Sequence, residues 1–412
     1  MSSNVILYRA PWIIPVTSPV IRDGCIAVHG SRILAVGLWE KLSQEYSGCE
    51  IKHCSGVLLP GLINAHIHLE LSVYGVVSQQ NAASNMCDWV RSLLQKRISA
   101  NFTEQEIEDA AEKAAQQQFA TGVLALLDTG NTSLPEFSGK VPEIYSLLEL
   151  LGPNKKATHA VTEILNNLVD KSCPTAHAPY STSPELLQSI KKQTLEKGTL
   201  FSLHVEENPD ESLLLLKGTG CFYEFLHERD ALDGTFPFKE GSYRSVLDYL
   251  SHIQILDEKT ICVHCVNVDD EDVQLLAKTK SHVCLCPVSN SFIGVGLAPL
   301  KSFLAHGIIP ALGTDSVASN PFMSLWHEMA LLRKEFPDVS SETILVMATI
   351  AGAKALGCEK DYGSLEPGKC SGFIAIEDEK ISTVASKKEL LDILTSIENP
   401  EKVTHCGGYL AA

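Results

Sequence analysis

The chain has no Gly-x-Gly-x-x-Gly turn, no Gly-Lys-Ser/Thr phosphate loop and no Gly-x-Ser-x-Gly elbow. The first two absences argue against a nucleotide cradle built from backbone amides, and the third weakens a serine-hydrolase reading. No apolar run reaches membrane-spanning length. Basic residues are in deficit: 33 Lys and Arg against 50 Asp and Glu give a net charge of −17. A field of that sign repels polyanions, which argues against nucleic-acid binding and against an anionic membrane surface. A solubilising surface is enough to account for the charge. The stretch Ser2 to Val16 has no basic leader, and Arg9, Pro11 and Pro15 interrupt its apolar residues, so it is not expected to act as a secretory signal. The 13 cysteines are scattered and odd in number. They are expected to be reduced thiols of a cytoplasmic protein. One alternative is a structural zinc site from Cys262-x-x-Cys265 and Cys284-x-Cys286. Against it, both pairs lie in runs that read as buried strands, where cysteine is a good small core residue.

What the chain does have is length and alternation. Its 412 residues suit one large domain and a smaller one. Before about Leu58, short β-like runs (Val5–Tyr8, Cys25–Val28, Ile33–Val36) are broken by Gly and Pro and suggest a small antiparallel unit. From about Leu58 to Gly357, strand-like and helix-like stretches alternate. Strands are expected at Leu58–His68, Val123–Thr129, Glu143–Leu150, Cys173–Pro179, Leu200–Glu206, Thr260–Val266, His282–Pro287 and Ile309–Asp315. Helices are expected at Glu104–Ala120, Pro184–Gly198, Asp270–Lys278 and Pro299–His306. Eight such units predict an α/β fold of the (β/α)8 barrel type, with an open doubly wound sheet as the alternative. The turn-rich Gly363-Ser-Leu-Glu-Pro-Gly-Lys369 leads into Phe373–Ile376, which reads as a return to the small β unit.

The densest chemical signal is Pro60-Gly-Leu-Ile-Asn-Ala-His66-Ile-His68-Leu-Glu70. Side chains alternate along a strand, so His66 and His68 face the same way, and two converging imidazoles make half of a divalent metal site. Catalytic groups of a barrel sit at the C-terminal strand ends. The other expected strands end near His177, His204, His264 and Asp315, with Glu207 just beyond the fifth. His66, His68, His204 and Asp315 can supply the ligands of a catalytic metal, which lowers the pKa of its water to about 7. Asp315 can also accept a proton from that water. Glu207 is placed to carry a proton to a substrate, and His264 to hydrogen-bond the attacking oxygen. Blander alternatives are core histidines for His204 and His264, a helix cap for Asp315, a solvated face for Glu207 and packing on Tyr180 for His177. His/Asp sites accept zinc and iron alike, zinc being the first expectation.

With these segments, and with Val263-His-Cys265, Cys286-Pro-Val-Ser-Asn290 and Leu312-Gly-Thr-Asp-Ser316 in the same order, the chain resembles the amidohydrolase superfamily in its deaminase and chlorohydrolase branch. The resemblance implies a metal-bearing barrel over residues 59–362 and a discontinuous β-sandwich from residues 1–58 and 363–412. It implies His66, His68, His204 and Asp315 as metal ligands, Glu207 as proton shuttle and His264 as the residue beside the attacking oxygen. A narrower likeness, to the 6-amino-6-deoxyfutalosine deaminases of the futalosine route to menaquinone, rests on His68-Leu-Glu70, Asp88-Trp-Val-Arg91 and Ala176-His-Ala-Pro-Tyr-Ser-Thr-Ser-Pro184. Val288 departs from the pattern, standing where relatives often carry Arg.

By that likeness, water attacks C6 of an adenine ring, Glu207 protonates a ring nitrogen and ammonia leaves. His177 would contact the nucleoside, Glu70 or Asp88 would bind ribose hydroxyls, and one of Arg91, Arg97, Arg229 and Arg244 would meet a substrate carboxylate. The stretch 217–250 would form a lid. Guanine, adenosine or S-adenosylhomocysteine deamination and chlorohydrolysis remain open on the same scaffold, as does a metal-binding barrel without catalysis. A small-molecule substrate is the expected partner. The oligomeric state is left open, a homo-oligomer included.

Overall fold

The computed structural model describes residues 5–77, 86–168 and 172–408. Residues 2–4 of the stretch read for a leader, and the first and last four residues of the two-part division, therefore lie outside it.

Two four-stranded parallel sheets form the centre. One runs Leu62–Ile67, Val123–Gly130, Glu143–Leu150, Pro174–Ala176, and the other Phe201–Val205, Thr260–His264, His282–Leu285, Ala311–Leu312. They meet at both edges. His204 N donates to His177 O at 2.9 Å on one side. On the other, Ile67 and Asp315 form a parallel bridge, and the amides of Thr314 and Asp315 both donate to His66 O. The fold is thus α/β with parallel strands. Leu62–Ile67, Val123–Gly130, Phe201–Val205 and Thr260–His264 are buried at every position, as strands covered on both faces must be.

Helices cover the strands. Glu104–Ala120 starts with a capping box in which Thr103 and Glu106 satisfy each other's amides. Pro184–Lys197 begins with Ser183 as N-cap and a proline in its first turn, and ends on Gly198 in the left-handed region.

A further sheet joins the two chain ends in the order Lys402–Cys406, Phe373–Glu377, Val57–Pro60, Val5–Ile13, Ile21–His29, Arg32–Leu38, with Glu50–His53 also paired to Val5–Ile13. It is mixed rather than antiparallel, because Val5–Ile13 runs parallel to both Glu50–His53 and Val57–Pro60. The single strand expected at Leu58–His68 is in fact two. Val57–Pro60 belongs to this sheet, and the chain breaks at Gly61 before Leu62–Ile67. A Cβ at Gly61 would lie 2.1 Å from Leu124 Cγ, so only glycine lets the chain pass there.

The cysteine expectation needs correcting. Cys87 and Cys221 are joined in a disulfide, with Cα atoms 6.1 Å apart. Their separation of 134 residues hides the pairing from sequence spacing. Cys262, Cys265, Cys284 and Cys286 are buried free thiols. Among the described residues they enter no three-ligand group, which removes the structural zinc alternative. No helix among the described residues is long and apolar enough to cross a membrane.

Candidate functional site

Strand ends bring the predicted histidines together. His66 and His68 leave the strand Leu62–Ile67, and His204 lies on Phe201–Val205. His66 Nε2 and His68 Nε2 each lie 3.2 Å from His204 Nε2. Asp315 Oδ1 stands 3.5 Å from His68 Nε2 and 3.9 Å from His66 Nε2. All four residues are buried.

The tautomers follow from the outer nitrogens. His68 Nδ1 contacts Thr129 O at 2.5 Å, and His204 Nδ1 contacts His177 O at 2.9 Å. A carbonyl only accepts, so both Nδ1 atoms carry a proton and both Nε2 atoms are turned toward the shared space. Burial lowers the pKa of the His68 imidazole, but the charges of Glu149, Asp315, Asp128 and Glu70 outweigh it and raise it, so this ring is the one that most readily holds a second proton until a cation displaces it. Burial and the neighbouring histidines hold His66 and His204 well below the ordinary imidazole pKa, so protonating these rings is disfavoured. The donor set, neutral imidazoles with one carboxylate and fixed outer hydrogen bonds, fits a divalent transition metal.

Asp315 is fixed with equal care. Its Oδ2 accepts from Ser289 Oγ at 2.6 Å and Ser319 Oγ at 2.8 Å, and its Oδ1 from Ser316 N at 2.7 Å. Burial pushes its carboxyl up, but His68, His264, His66 and the Ser289 bond outweigh this and hold it below the usual range. The backbone is left-handed at Asp315 (φ 57°) and His264 (φ 74°), unusual for non-glycine residues and typical of functional sites.

A second group, Glu207, His264 and Asp315, presents ligand or proton-transfer atoms within 4.8 Å of one another. Asn290 Nδ2 reaches His264 Nδ1 at 2.9 Å and Glu207 Oε1 at 3.4 Å. An amide nitrogen only donates, so His264 Nδ1 accepts and its Nε2 carries the proton. Burial is the main reason His264 sits at about 4, and it is therefore neutral at pH 7. Burial, with Asp315 and Glu211 nearby, holds Glu207 well above the usual carboxylate range. Glu211 in turn accepts from Glu207 N at 2.8 Å and sets the turn that carries it.

A cavity of about 190 Å³ opens over these groups. The helix Met86–Ala100 supplies one wall through Met86, Trp89, Val90, Leu93, Leu94 and Arg97, a stripe at helical spacing. Asp88 is off that stripe. It is exposed, pairs with Arg91 at 3.3 Å, and is not among the residues that line the cavity, because the helix phase turns it away. Glu70 does line the cavity, but its Oε2 already accepts from Thr132 N and Thr132 Oγ1, and its Oε1 faces Arg97 at 3.6 Å. His177 lines it too, with Tyr180 beside it and Nδ1 bonded to Ser181 Oγ at 2.6 Å. Of the four arginines, Arg97 reaches the cavity. Arg91 pairs with Glu228, Arg229 lies over Phe225, and Arg244 pairs with Asp269, Glu271 and Asp272. The stretch read as a lid contains the helices Cys221–Glu228 and Val246–His252, and Phe225 of the first lines the cavity.

Sequence reasoning missed Glu149, Asn131, Trp89 and Asn290 as members of the site. Glu149 was within reach, since it stands one residue before the end of a strand whose bounds were expected correctly. Asn290 lay inside a quoted motif. Trp89 lay inside another, Asp88-Trp-Val-Arg91. Asn131 carries no local signal.

Known proteins are similar to this chain in sequence and in fold. A 5-methylthioadenosine/S-adenosylhomocysteine deaminase of Moorella thermoacetica is 26% identical, over 90% of this chain and 85% of its own length. The structure of Helicobacter pylori aminofutalosine deaminase aligns with a TM-score of 0.78 at 21% identity, covering 99% of this chain and 100% of that one. An adenosine deaminase from Xanthomonas campestris with bound zinc aligns with a TM-score of 0.74 at 19% identity, covering 97% and 90%. The amidohydrolase family model matches residues 57–405, a span that holds every strand-end histidine and acid described above. The chain is therefore an enzyme of the amidohydrolase family.

Proposed function

We propose that the protein is a metal-dependent hydrolytic deaminase of 6-aminopurine nucleosides, and that its substrate is 6-amino-6-deoxyfutalosine. The observation that carries the reaction class is the pair of groups at one cavity floor: three imidazoles with Asp315, and beside them Glu207 with His264. His66, His68, His204 and Asp315 would hold the ion, zinc or iron. Bound there, a divalent ion supplies the Lewis acidity that makes water nucleophilic near neutral pH. Asp315 accepts a proton from the attacking water. His264 Nε2–H donates to the attacking oxygen as it gains charge. Glu207, holding a proton, delivers it to a ring nitrogen; as the C6–N bond breaks, the proton that Asp315 took from the water goes to the amine, which leaves as ammonia, and the hydroxyl proton of the intermediate returns to Glu207.

Support for the futalosine-type substrate is the likeness to the Helicobacter pylori enzyme over the full chain and the placement of His177 on the cavity wall. Arg97, which lines the cavity, is the candidate cation for a substrate carboxylate. The sequence relatives named for methylthioadenosine and S-adenosylhomocysteine favour those nucleosides as a second reading. We further propose that the eight parallel strands close as a (β/α)8 barrel over residues 59–362, and that residues 1–58 and 363–412 form the flanking β-sandwich domain. Support comes from the hydrogen bonds where the two parallel sheets meet and from the shared sheet of the chain ends.

Metal analysis combined with ammonia release from a panel of aminated purines tests the proposal. Turnover of 6-amino-6-deoxyfutalosine above the other nucleosides is the expected result. Activity on guanine with none on any adenine nucleoside would overturn it.

A further inference from the structure

We infer that Glu149, not Glu70, is the residue that selects the sugar of the substrate, by accepting a hydrogen bond from a ribose hydroxyl through Oε1. The inference rests on the nucleoside reading above and adds a specificity residue to it.

The argument is one of unmet bonds. Glu149 is buried, lines the cavity, and has its Oε2 occupied by Asn131 Nδ2 at 3.1 Å. Its Oε1 is buried and has no hydrogen-bond partner. The neighbouring His204 Nδ1 stands 3.7 Å away, beyond hydrogen-bond range, and has already given its proton to His177 O. That commitment also excludes Glu149, His177 and His204 as a second metal site, although their ligand atoms cluster. A buried carboxylate oxygen without a donor is costly, and a site pays that cost where a ligand supplies the donor. Trp89, which also lines the cavity, has its Nε1 likewise buried without a partner. The cavity therefore holds one unmatched acceptor and one unmatched donor.

The chemistry of the ligand follows. An adenine substituted at N9 has only acceptor nitrogens in its ring, and its amine is the leaving group at the Glu207 end. Glu149 lies beside His177 and His204. Apart from that amine, the hydrogen-bond donors of an adenine nucleoside are the hydroxyls of its sugar, so the donor for Glu149 belongs to the sugar. Glu70 cannot serve equally, since Thr132 occupies its Oε2 and Arg97 faces its Oε1. Arg97 Nη1 donates to Asn131 Oδ1 at 3.1 Å, so the arginine also braces Glu149 through Asn131.

The test uses the full-length, zinc-loaded enzyme with adenosine, 2′-deoxyadenosine and 3′-deoxyadenosine, and calorimetric binding of the product inosine. In the wild type, loss of the partner hydroxyl should raise KM by about tenfold or more with kcat changed far less, because a buried polar group is left unpaired. Glu149→Gln should raise KM for adenosine, and weaken inosine binding, by a similar factor. It should leave the corresponding deoxynucleoside unaffected, the signature of a direct pair. Metal content and Tm of the variant show that its fold is intact, and the deoxy analogues test the wild type without any substitution. Equal effects of Glu149→Gln on all three nucleosides, or none, would overturn the inference while leaving the deaminase reading standing. No turnover of 6-amino-6-deoxyfutalosine or of adenosine, and no nucleoside binding, by the wild type would overturn both.

Discussion

His68 and His204 point their Nε2 atoms at each other across 3.2 Å while each spends its Nδ1 proton on a backbone carbonyl. Both Nε2 atoms thus converge on one position, and an ion bound there engages the folded chain and not the unfolded one. Metal should accordingly stabilise the protein as well as activate it. Stripping the ion with a chelator should lower Tm, and readdition of zinc at a hundredfold excess over its Kd should restore about 2.7 kcal/mol. Thermal melts of chelated and reloaded protein check this, and identical melts would count against the metal reading. Asp315→Ala should bind metal more weakly and lose activity.

Glu207 offers a sharper separation of roles. It lies in the group with His264 and Asp315, but its amide and carboxyl are set by Glu211 and Asn290 rather than by the three-imidazole cluster. Glu207→Gln should keep metal content and substrate KM near wild type. Its kcat should fall by about 10²–10⁴-fold, the usual worth of a positioned proton donor. Unchanged turnover would remove Glu207 from the reaction.

Much of this site was legible because the barrel rule and metal chemistry act on single residues. The strands Glu143–Leu150 and Thr260–His264 begin where hydrophobic patterning puts them, and their ends bring Glu149 and His264 to the cavity. The helix Glu104–Ala120 matches its expected bounds because its capping box is written locally. What was not legible depends on helix phase and long-range meeting. Asp88 and Trp89 are neighbours in sequence, yet one faces solvent and the other the cavity. The pairing of Cys87 with Cys221 needs both cavity walls in place, which no spacing encodes.

Gly313 tests how tightly the first metal ligand is held. A Cβ there would lie 2.8 Å from His66 Cβ, 2.9 Å from Cys284 Sγ and 2.9 Å from His66 O. None of these is the free end of a flexible chain, so Gly313→Ala must displace His66. Overpacking of this kind costs about 1–3 kcal/mol. The expected outcome is a lower Tm together with a lower metal stoichiometry or affinity, read by metal analysis. A variant that is destabilised yet binds zinc as the wild type does would show that His66 tolerates the shift.

Lys191 and Asp257 give a pH-dependent prediction away from the site. Lys191 Nζ is buried, 2.7 Å from Asp257 Oδ1 and 2.8 Å from Thr260 Oγ1, and ties the helix Pro184–Lys197 to the strand Thr260–His264. Burial pulls the amine below the ordinary lysine value, against the pull of Asp257. Burial pushes Asp257 up, but the hydrogen bond and charge of Lys191 outweigh it and hold the carboxyl below its ordinary value. The stability due to Asp257 is therefore present above its unfolded pKa, about 3.9, and is lost as pH falls through the lower folded value. Asp257→Ala strands a buried ammonium. It should cost about 2–3 kcal/mol at pH 7, the low side for a buried pair because Asp257 is partly exposed. The penalty should shrink as pH rises toward 10, since the variant's Lys191 can shed its proton. Urea melts at pH 7 and pH 9.5 check the sign, and a penalty that grows with pH would refute it.

The disulfide joins the two walls between which a substrate must pass. Cys87 begins the helix that carries Trp89, Leu93 and Arg97, and Cys221 begins the helix that carries Phe225. Arg91 and Glu228 add an ion pair across the same seam at 3.1 Å, but Glu228 is exposed and Arg91 only part-buried, and such a pair is worth about 1 kcal/mol or less. The covalent link is thus the stronger tie. Cys87→Ser with Cys221→Ser should lower stability by about 2–4 kcal/mol through the long loop it opens. The local effect should be larger than the global one near the cavity. Hydrogen exchange of residues 86–100 should speed up, and substrate KM should rise while metal content stays at the wild-type level, because no metal ligand lies on either helix. A dithiol reductant acting on the wild type should reproduce both changes. If exchange rises evenly over the whole chain and KM does not move, the link serves the fold at large and the cavity wall keeps its shape without it.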